Sequence, residues 1–159
     1  LYAIGNGFDV HTLEEGRRLM LGCVHFADST AGLVGHSDAD VVAHAVCDAL
    51  LGAAGLGDIG DHFPDTDPAY KDFPGGSFLS RVAGLVKNAG CEIVNIDCVV
   101  MCDAVKLGER KRVMAVTMAG HLGIDARLVN VGATTYEGHG PIGRGDAIAC
   151  QAVAMLERA

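Results

Sequence analysis

Residues 2–12 (YAIGNGFDVHT) alternate in character, with Ile4, Phe8 and Val10 on one side and Asp9 and His11 on the other. A period of two predicts a strand with one face in a core. Residues 18–25 (RLMLGCVH) predict a second strand, and 26–36 a glycine-rich loop. Over 38–55 the period lengthens. Val41, Val42, Ala45, Val46, Ala49 and Ala53 cover one arc of a helix, and Asp40, His44 and Asp48 lie off it at a spacing of four. Ser37 is the predicted cap, with Asp38 and Asp40 in a first turn where the helix dipole favours negative charge. Leu51 breaks the polar side, so burial on both faces is expected. Residues 56–76 hold three prolines and read as a long loop, which in a small domain is more often functional than idle. A helix at about 77–89, a strand at 91–102, a helix at 109–122, a strand at 127–135 and a closing helix at about 145–157 complete the chain. The order predicts an α/β fold, an α+β sandwich with a four-stranded sheet and helices on one face.

Composition narrows the function. Half of the 159 residues are hydrophobic, enough for one domain over 1–159 with its own core. Twenty acidic against 12 basic residues give a net charge of −8, which disfavours nucleic acid, as does the absence of tryptophan. A small anionic substrate is still compatible, because metal ions and helix N-termini supply local positive field. The six cysteines form no CxxC pair and sit in apolar stretches, as reduced thiols of a cytoplasmic protein do. There is no apolar run long enough for a bilayer and no signal-peptide pattern, so no membrane partner is expected. The chain opens on Leu1 rather than methionine, which puts the expected start upstream.

The sharpest chemical signal is Asp-x-His on the first strand. Asp9 and His11 share a face there and can grip one ion, with His44 the best third ligand. Asp, His, His suits zinc and leaves a coordination position open. Taken alone, Asp-x-His is more often a surface pair. His36 and Ser37 precede the helix, where backbone amides can bind an anion, although on capping logic alone a plain N-cap explains them better. Asp58, Asp65 and Asp67 can accept hydrogen bonds from hydroxyls or simply close turns. Thr134 and Thr135 can hydrogen-bond phosphate, and Glu137 can hold Mg²⁺, which favours one or two carboxylates plus phosphate oxygens. Lys106 and Arg144 can meet phosphate or stay solvated. His25, His62, His121 and His139 are read as structural or surface residues.

Four blocks then coincide with one family. GFDVH (7–11), HSDADVVAHAVCDALLGAAGLGDIGDHFPDTDP (36–68), NVGATTYE (130–137) and GRGDAIA (143–149) resemble the 2-C-methyl-D-erythritol 2,4-cyclodiphosphate synthases, in order and spacing across nearly the whole chain. The resemblance implies a homotrimer of α/β sandwiches, with sheets facing the three-fold axis and active sites between subunits. It makes Asp9, His11 and His44 zinc ligands, of which Asp9 and His11 also meet substrate, and Glu137 the carboxylate for Mg²⁺ or Mn²⁺. His36 and Ser37 match a mobile segment on the phosphates and erythritol, Asp58 and Gly60 the ribose and substrate contacts, and Asp65 and Asp67 the segment near erythritol. Lys106, Ala133, Thr134 and Thr135 match a cytidine and diphosphate pocket lent by the neighbouring subunit. His36, Ser37, Asp58 and Thr135 are the expected catalytic residues. Arg144 matches an arginine near the axis, where some members bind an isoprenoid diphosphate; His139 and Pro141 alter that region here. Gly132 and Gly138 stand where the family usually has lysine, removing two charges near the phosphates. The implied reaction is attack of a 2-phosphate on the β-phosphorus of a cytidine diphosphate ester, with release of CMP.

Overall fold

The C-terminus departs furthest from the sequence expectation. The structure, a computed structural model, describes residues 1–158, and Ala159, the last residue of the expected domain, lies outside them. In place of the closing helix it has a strand, β7 (Ala147–Arg158). The alanines there favour a helix by up to about 0.7 kcal/mol per residue over β-branched alternatives. Two ladders of backbone hydrogen bonds outweigh that preference. β7 pairs antiparallel with β1 (Tyr2–Glu15) from Tyr2↔Glu157 to Thr12↔Ala147, and on its other side with β5 (Cys91–Met101). Ile148, Cys150, Ala152, Ala154 and Leu156 are all buried, the period of two that marks a strand in the core.

The main sheet therefore has five strands rather than four, in the order β4-β1-β7-β5-β6, with β4 at Ala31–Leu33 and β6 at Val129–Thr134. Only β5 and β6 run parallel, joined through the helix at Arg110–Leu122. The expected strand at 18–25 is instead a hairpin of two short strands, β2 (Met20–Leu21) and β3 (Val24–His25), turning through the left-handed Gly22 and Cys23.

Helix α1 (Val41–Ala54) lies on β1 and β7 and is buried all round except for His44, Asp48 and Gly52. Its approach to β1 is set by two glycines: a Cβ on Gly5 would fall 2.0 Å from the Ala49 carbonyl oxygen, and one on Gly7 2.0 Å from that of Ala45. The faces of β1 are thus opposite to the expectation. Gly5, Gly7, Asp9 and His11 turn toward α1, while Ile4, Phe8 and Val10 are 67, 55 and 49% exposed. Asp40, not Ser37, caps α1. Its fully buried carboxylate accepts from Val42 and Ala43 and also from Gly22 and Cys23, tying the β2–β3 turn to the helix start.

The long segment after α1 is ordered by its own chemistry. Asp58 caps a short helix, α2 (Ile59–His62), in a capping box with Asp61, and Asp67 caps a 3₁₀ turn at Pro68–Tyr70. Phe63, Tyr70 and Phe73 stack around Phe78 of α3 (Gly75–Asn88), with Phe73 and Phe63 centroids 4.8 and 5.1 Å from that of Phe78. The helix Arg110–Leu122, α4, joins the same layer as α1 and α3. The short helix α5 (Gly140–Gly143) does not, since Ile142 packs on Met101, Ala147 and Ala149 at the opposite sheet face. No helix among the described residues is long and apolar enough to cross a membrane. The cysteines are unpaired; burial pushes the Cys23, Cys47 and Cys102 thiols up, and a hydrogen bond with Cys98, then burial, does the same for Cys150, away from the reactive thiolate.

Candidate active site

Asp9 and His11 project from β1 beneath the first turns of α1, where His44 descends to meet them. One carboxylate oxygen, Asp9 Oδ2, lies 2.9 Å from His11 Nε2 and 3.1 Å from His44 Nδ1. The three side chains offer ligand atoms all within 4.8 Å of one another, and no other such cluster of three occurs among the described residues. His11 Nδ1 is 2.7 Å from the Val34 carbonyl, which can only accept, so that nitrogen carries the proton. In a neutral ring, Nε2 then points a lone pair at a carboxylate oxygen. A proton or a metal cation between them removes the conflict. Burial works against the charge on both groups, yet the hydrogen bonds and positive charge of His11 and His44 hold Asp9 well below the usual carboxylate range, and Asp9 raises His11. Ser37, nearly buried, sits 3.1 Å from His44 Nε2 and can accept its proton when Nδ1 binds a metal. The donor set, the forced His11 tautomer and the buried second partner all fit a divalent metal ion.

The triad opens on a cavity of about 600 Å³ lined by His11, His36, Ser37, His44, Gly60 and Asp65. Five of the fourteen predicted substrate residues, His11, His36, Ser37, Gly60 and Asp65, line it together. His36 hydrogen-bonds the Asp67 carbonyl at 3.2 Å, holding the 36–38 turn to the long segment. Of the α1 amides expected to welcome an anion, those of Val42 and Ala43 are already used by the Asp40 carboxylate. Asp48, one turn beyond His44, was not singled out in the sequence; it accepts from Ile59 N at 2.8 Å, and burial, with Asp58 and Asp9 nearby, raises its carboxyl.

The second group of predicted residues lies elsewhere. Ala133 and Thr134 end β6, and Thr135 and Glu137 follow in an exposed turn where the Thr135 hydroxyl donates to Glu137 at 2.9 Å. Lys106 is exposed in the loop after β5, not at its end. Arg144 ends α5 instead of opening a helix, and its Nε donates to Asp146 at 2.9 Å. Register sets the distance between the groups: His11 faces Ile148, Ala149 faces Met101, and Met101 faces Thr134, so the two lie at one end of the sheet but three strand spacings apart. At roughly 4.8 Å per spacing, that is about 14 Å.

A triad that could hold a metal ion lies beneath a helix, and the Thr135–Glu137 turn lies at the far sheet edge. A family model, YgbB, matches residues 2–157. The chain belongs to the YgbB family. Relatives in this family include the 2-C-methyl-D-erythritol 2,4-cyclodiphosphate synthase of Desulfosudis oleivorans, 55% identical over 96% of this chain and 90% of that protein. The synthase of Bordetella pertussis is 49% identical over 99% of this chain and 97% of its own. Among solved structures, the bifunctional IspDF of Campylobacter jejuni superposes with a TM-score of 0.95 at 42% identity; the whole chain spans 43% of that protein. A Plasmodium falciparum IspF in complex with CDP gives 0.86 at 29% identity, over 99% of this chain and 96% of its own.

Proposed function

We infer that the chain converts 4-diphosphocytidyl-2-C-methyl-D-erythritol 2-phosphate into 2-C-methyl-D-erythritol 2,4-cyclodiphosphate with release of CMP, a lyase step of non-mevalonate isoprenoid biosynthesis. The observation that carries this reading is the Asp9–His11–His44 triad opening on a cavity, in a chain matched to the YgbB family from residue 2 to 157. Bound at the triad, Zn²⁺ supplies Lewis acidity to the β-phosphate, and Mg²⁺ or Mn²⁺ at Glu137 neutralises the diphosphate. A single carboxylate beside a hydroxyl fits the latter ion only with phosphate oxygens completing its shell. An oxygen of the 2-phosphate attacks the β-phosphorus, the bond from that phosphorus to the bridging oxygen breaks, and CMP leaves with the electron pair. Both reacting groups belong to one molecule, so the protein acts by positioning. His36 and Ser37 hold the 2-phosphate and erythritol, with Asp65 and Asp67 on the hydroxyls. Asp58 and Gly60 contact ribose and substrate. Lys106, Ala133, Thr134 and Thr135 receive the cytidine and diphosphate. A phosphorus NMR time course with substrate, Zn²⁺ and Mg²⁺ tests this: cyclic diphosphate and CMP are expected to appear together, and a folded, zinc-loaded protein without turnover would refute it.

The active protein is proposed to be a homotrimer. Two observations support it. The triad and the Thr135–Glu137 turn are too far apart to grip one diphosphate within a chain, and a rotated neighbour brings its turn to the triad. Tyr2, Ile4, Phe8, Val10, Val99 and Val153 also leave an apolar sheet face uncovered, the expected lining of a three-fold axis. Phe8→Asp is expected to shift sedimentation to monomer and abolish turnover while zinc is retained; an active trimeric variant would count against the assembly. In that assembly an isoprenoid diphosphate would meet Arg144, whose Nε is held by Asp146, only if the altered His139 and Pro141 leave room for it. The unpaired cysteines favour a cytoplasmic setting.

A further inference from the structure

Asp103 has no role in the reading above, yet it holds the turn that carries two of its residues. This half-buried carboxylate follows β5 and reaches 33 residues along the chain: Oδ2 accepts from Tyr136 N at 2.7 Å, and Oδ1 lies 3.4 Å from Gly138 N. Between those two amides stands Glu137, a non-glycine residue in the left-handed region at φ 50°, followed by Gly138 at φ 77°. Such a conformation persists only where the surroundings over-determine it. The contacts inside the turn are few: the Thr135 hydroxyl donates to Glu137 Oε1, and Glu137 N donates back to Thr135 Oγ1 at 3.4 Å. Those contacts join two residues of the same exposed turn, and the Tyr136 hydroxyl adds only a long contact, 3.5 Å, to the Met101 sulfur of β5. Asp103 supplies the shorter tie to the sheet, because it follows β5, which is flanked by strands on both sides.

We propose that Asp103 is a positioning residue, which clamps the Tyr136 and Gly138 amides and so presents the Glu137 carboxylate and Thr135 hydroxyl to the diphosphate and its divalent ion. The inference rests on the assignment of Glu137 to that ion. The geometry also says what substitution does. Alanine removes both acceptors. Asparagine keeps one oxygen, enough for the shorter bond to Tyr136, and presents an NH₂ that cannot accept from Gly138.

The test is Mn²⁺ binding to the zinc-loaded protein with CDP present, followed by electron paramagnetic resonance. Asp103→Ala is expected to weaken Mn²⁺ affinity about tenfold and Asp103→Asn about threefold, a fraction of the roughly tenfold or more that each hydrogen bond to a charged acceptor is worth, because Asp103 acts on the ion only through the turn. Zinc content, sedimentation and melting temperature should stay at the wild-type values. Wild-type Mn²⁺ affinity in Asp103→Ala would overturn the inference, and so would a loss of Mn²⁺ binding that comes with loss of zinc or of assembly, since that marks a merely structural residue. If Asp103→Ala fails to fold, Asp103→Asn decides by the same criteria. Glu137→Gln separates the two claims. If it leaves Mn²⁺ binding intact, the ion is not on Glu137 and both claims fall. If it abolishes binding while Asp103→Ala and Asp103→Asn do not weaken it, the Glu137 assignment stands and only the positioning role is lost.

Discussion

His11→Ala is expected to lose zinc and turnover together while the fold survives. Removing an outer partner of a metal ligand costs about 10- to 100-fold in affinity or activity, so removing a direct ligand should exceed about 100-fold. The fold should tolerate the change because His11 is on the rim of the site. Its side chain is 20% exposed, and the main contact given up is the hydrogen bond to the Val34 carbonyl. A net loss of about 1 kcal/mol is the usual size of that effect. Zinc content by elemental analysis, turnover by phosphorus NMR and a thermal melt are read on the same preparation. Full activity in this variant would remove the triad from the mechanism. Zinc retained at full stoichiometry with turnover lost would make His11 a substrate contact rather than a ligand.

What the sequence made legible depends on how far each residue's partner lies along the chain. Asp9 and His11 were readable because two residues apart on any strand share a face, and His44 because it stands off the apolar arc of its helix, at a spacing of four from Asp40 and Asp48. The face they share was misassigned for a physical reason. Side-chain patterning weighs what is present, and the inner face of β1 is defined by what is missing at Gly5 and Gly7. Ile4, Phe8 and Val10 look like core residues because a lone chain is assumed to bury them, whereas their exposure in one subunit fits burial against copies. β7 was lost to the same local bias, since its alanines leave room for α1 to lie close yet score as helix formers. In HSDAD the pattern points to Ser37 as the cap with Asp38 and Asp40 in the first turn; the cap is Asp40, which also satisfies Gly22 and Cys23, two amides some 18 residues away. Asp103 carried no local signal, because both amides it binds lie more than 30 residues on.

Gly7→Ala is expected to damage the fold and the site at once. The added Cβ would stand 2.0 Å from Ala45 O and 2.7 Å from Ala49 N. Both are backbone atoms of α1, so no side-chain rotation relieves the clash. Ordinary contact needs the helix to move off β1 by more than about 1 Å, disturbing a face that is buried all round. Overpacking of this kind costs about 1–3 kcal/mol and occasionally more. At about 3 kcal/mol, a domain of this size loses roughly 6–12 °C in melting temperature. The same displacement spoils the triad, because Asp9 follows Gly7 on the inner face and His44 precedes Ala45 on the helix. Zinc affinity should therefore fall although no ligand has changed. Asn88→Ala is the control. Asn88 is exposed at the end of α3, and neither melting nor zinc content should move far. A Gly7→Ala protein that melts within about 2 °C of wild type and holds full zinc would show that the α1–β1 approach is looser than the glycines require. The expected pairing of lost stability with lost zinc is what distinguishes it from His11→Ala, where the metal goes and the fold stays: one substitution removes a ligand, and the other removes the spacing that lets strand and helix share one.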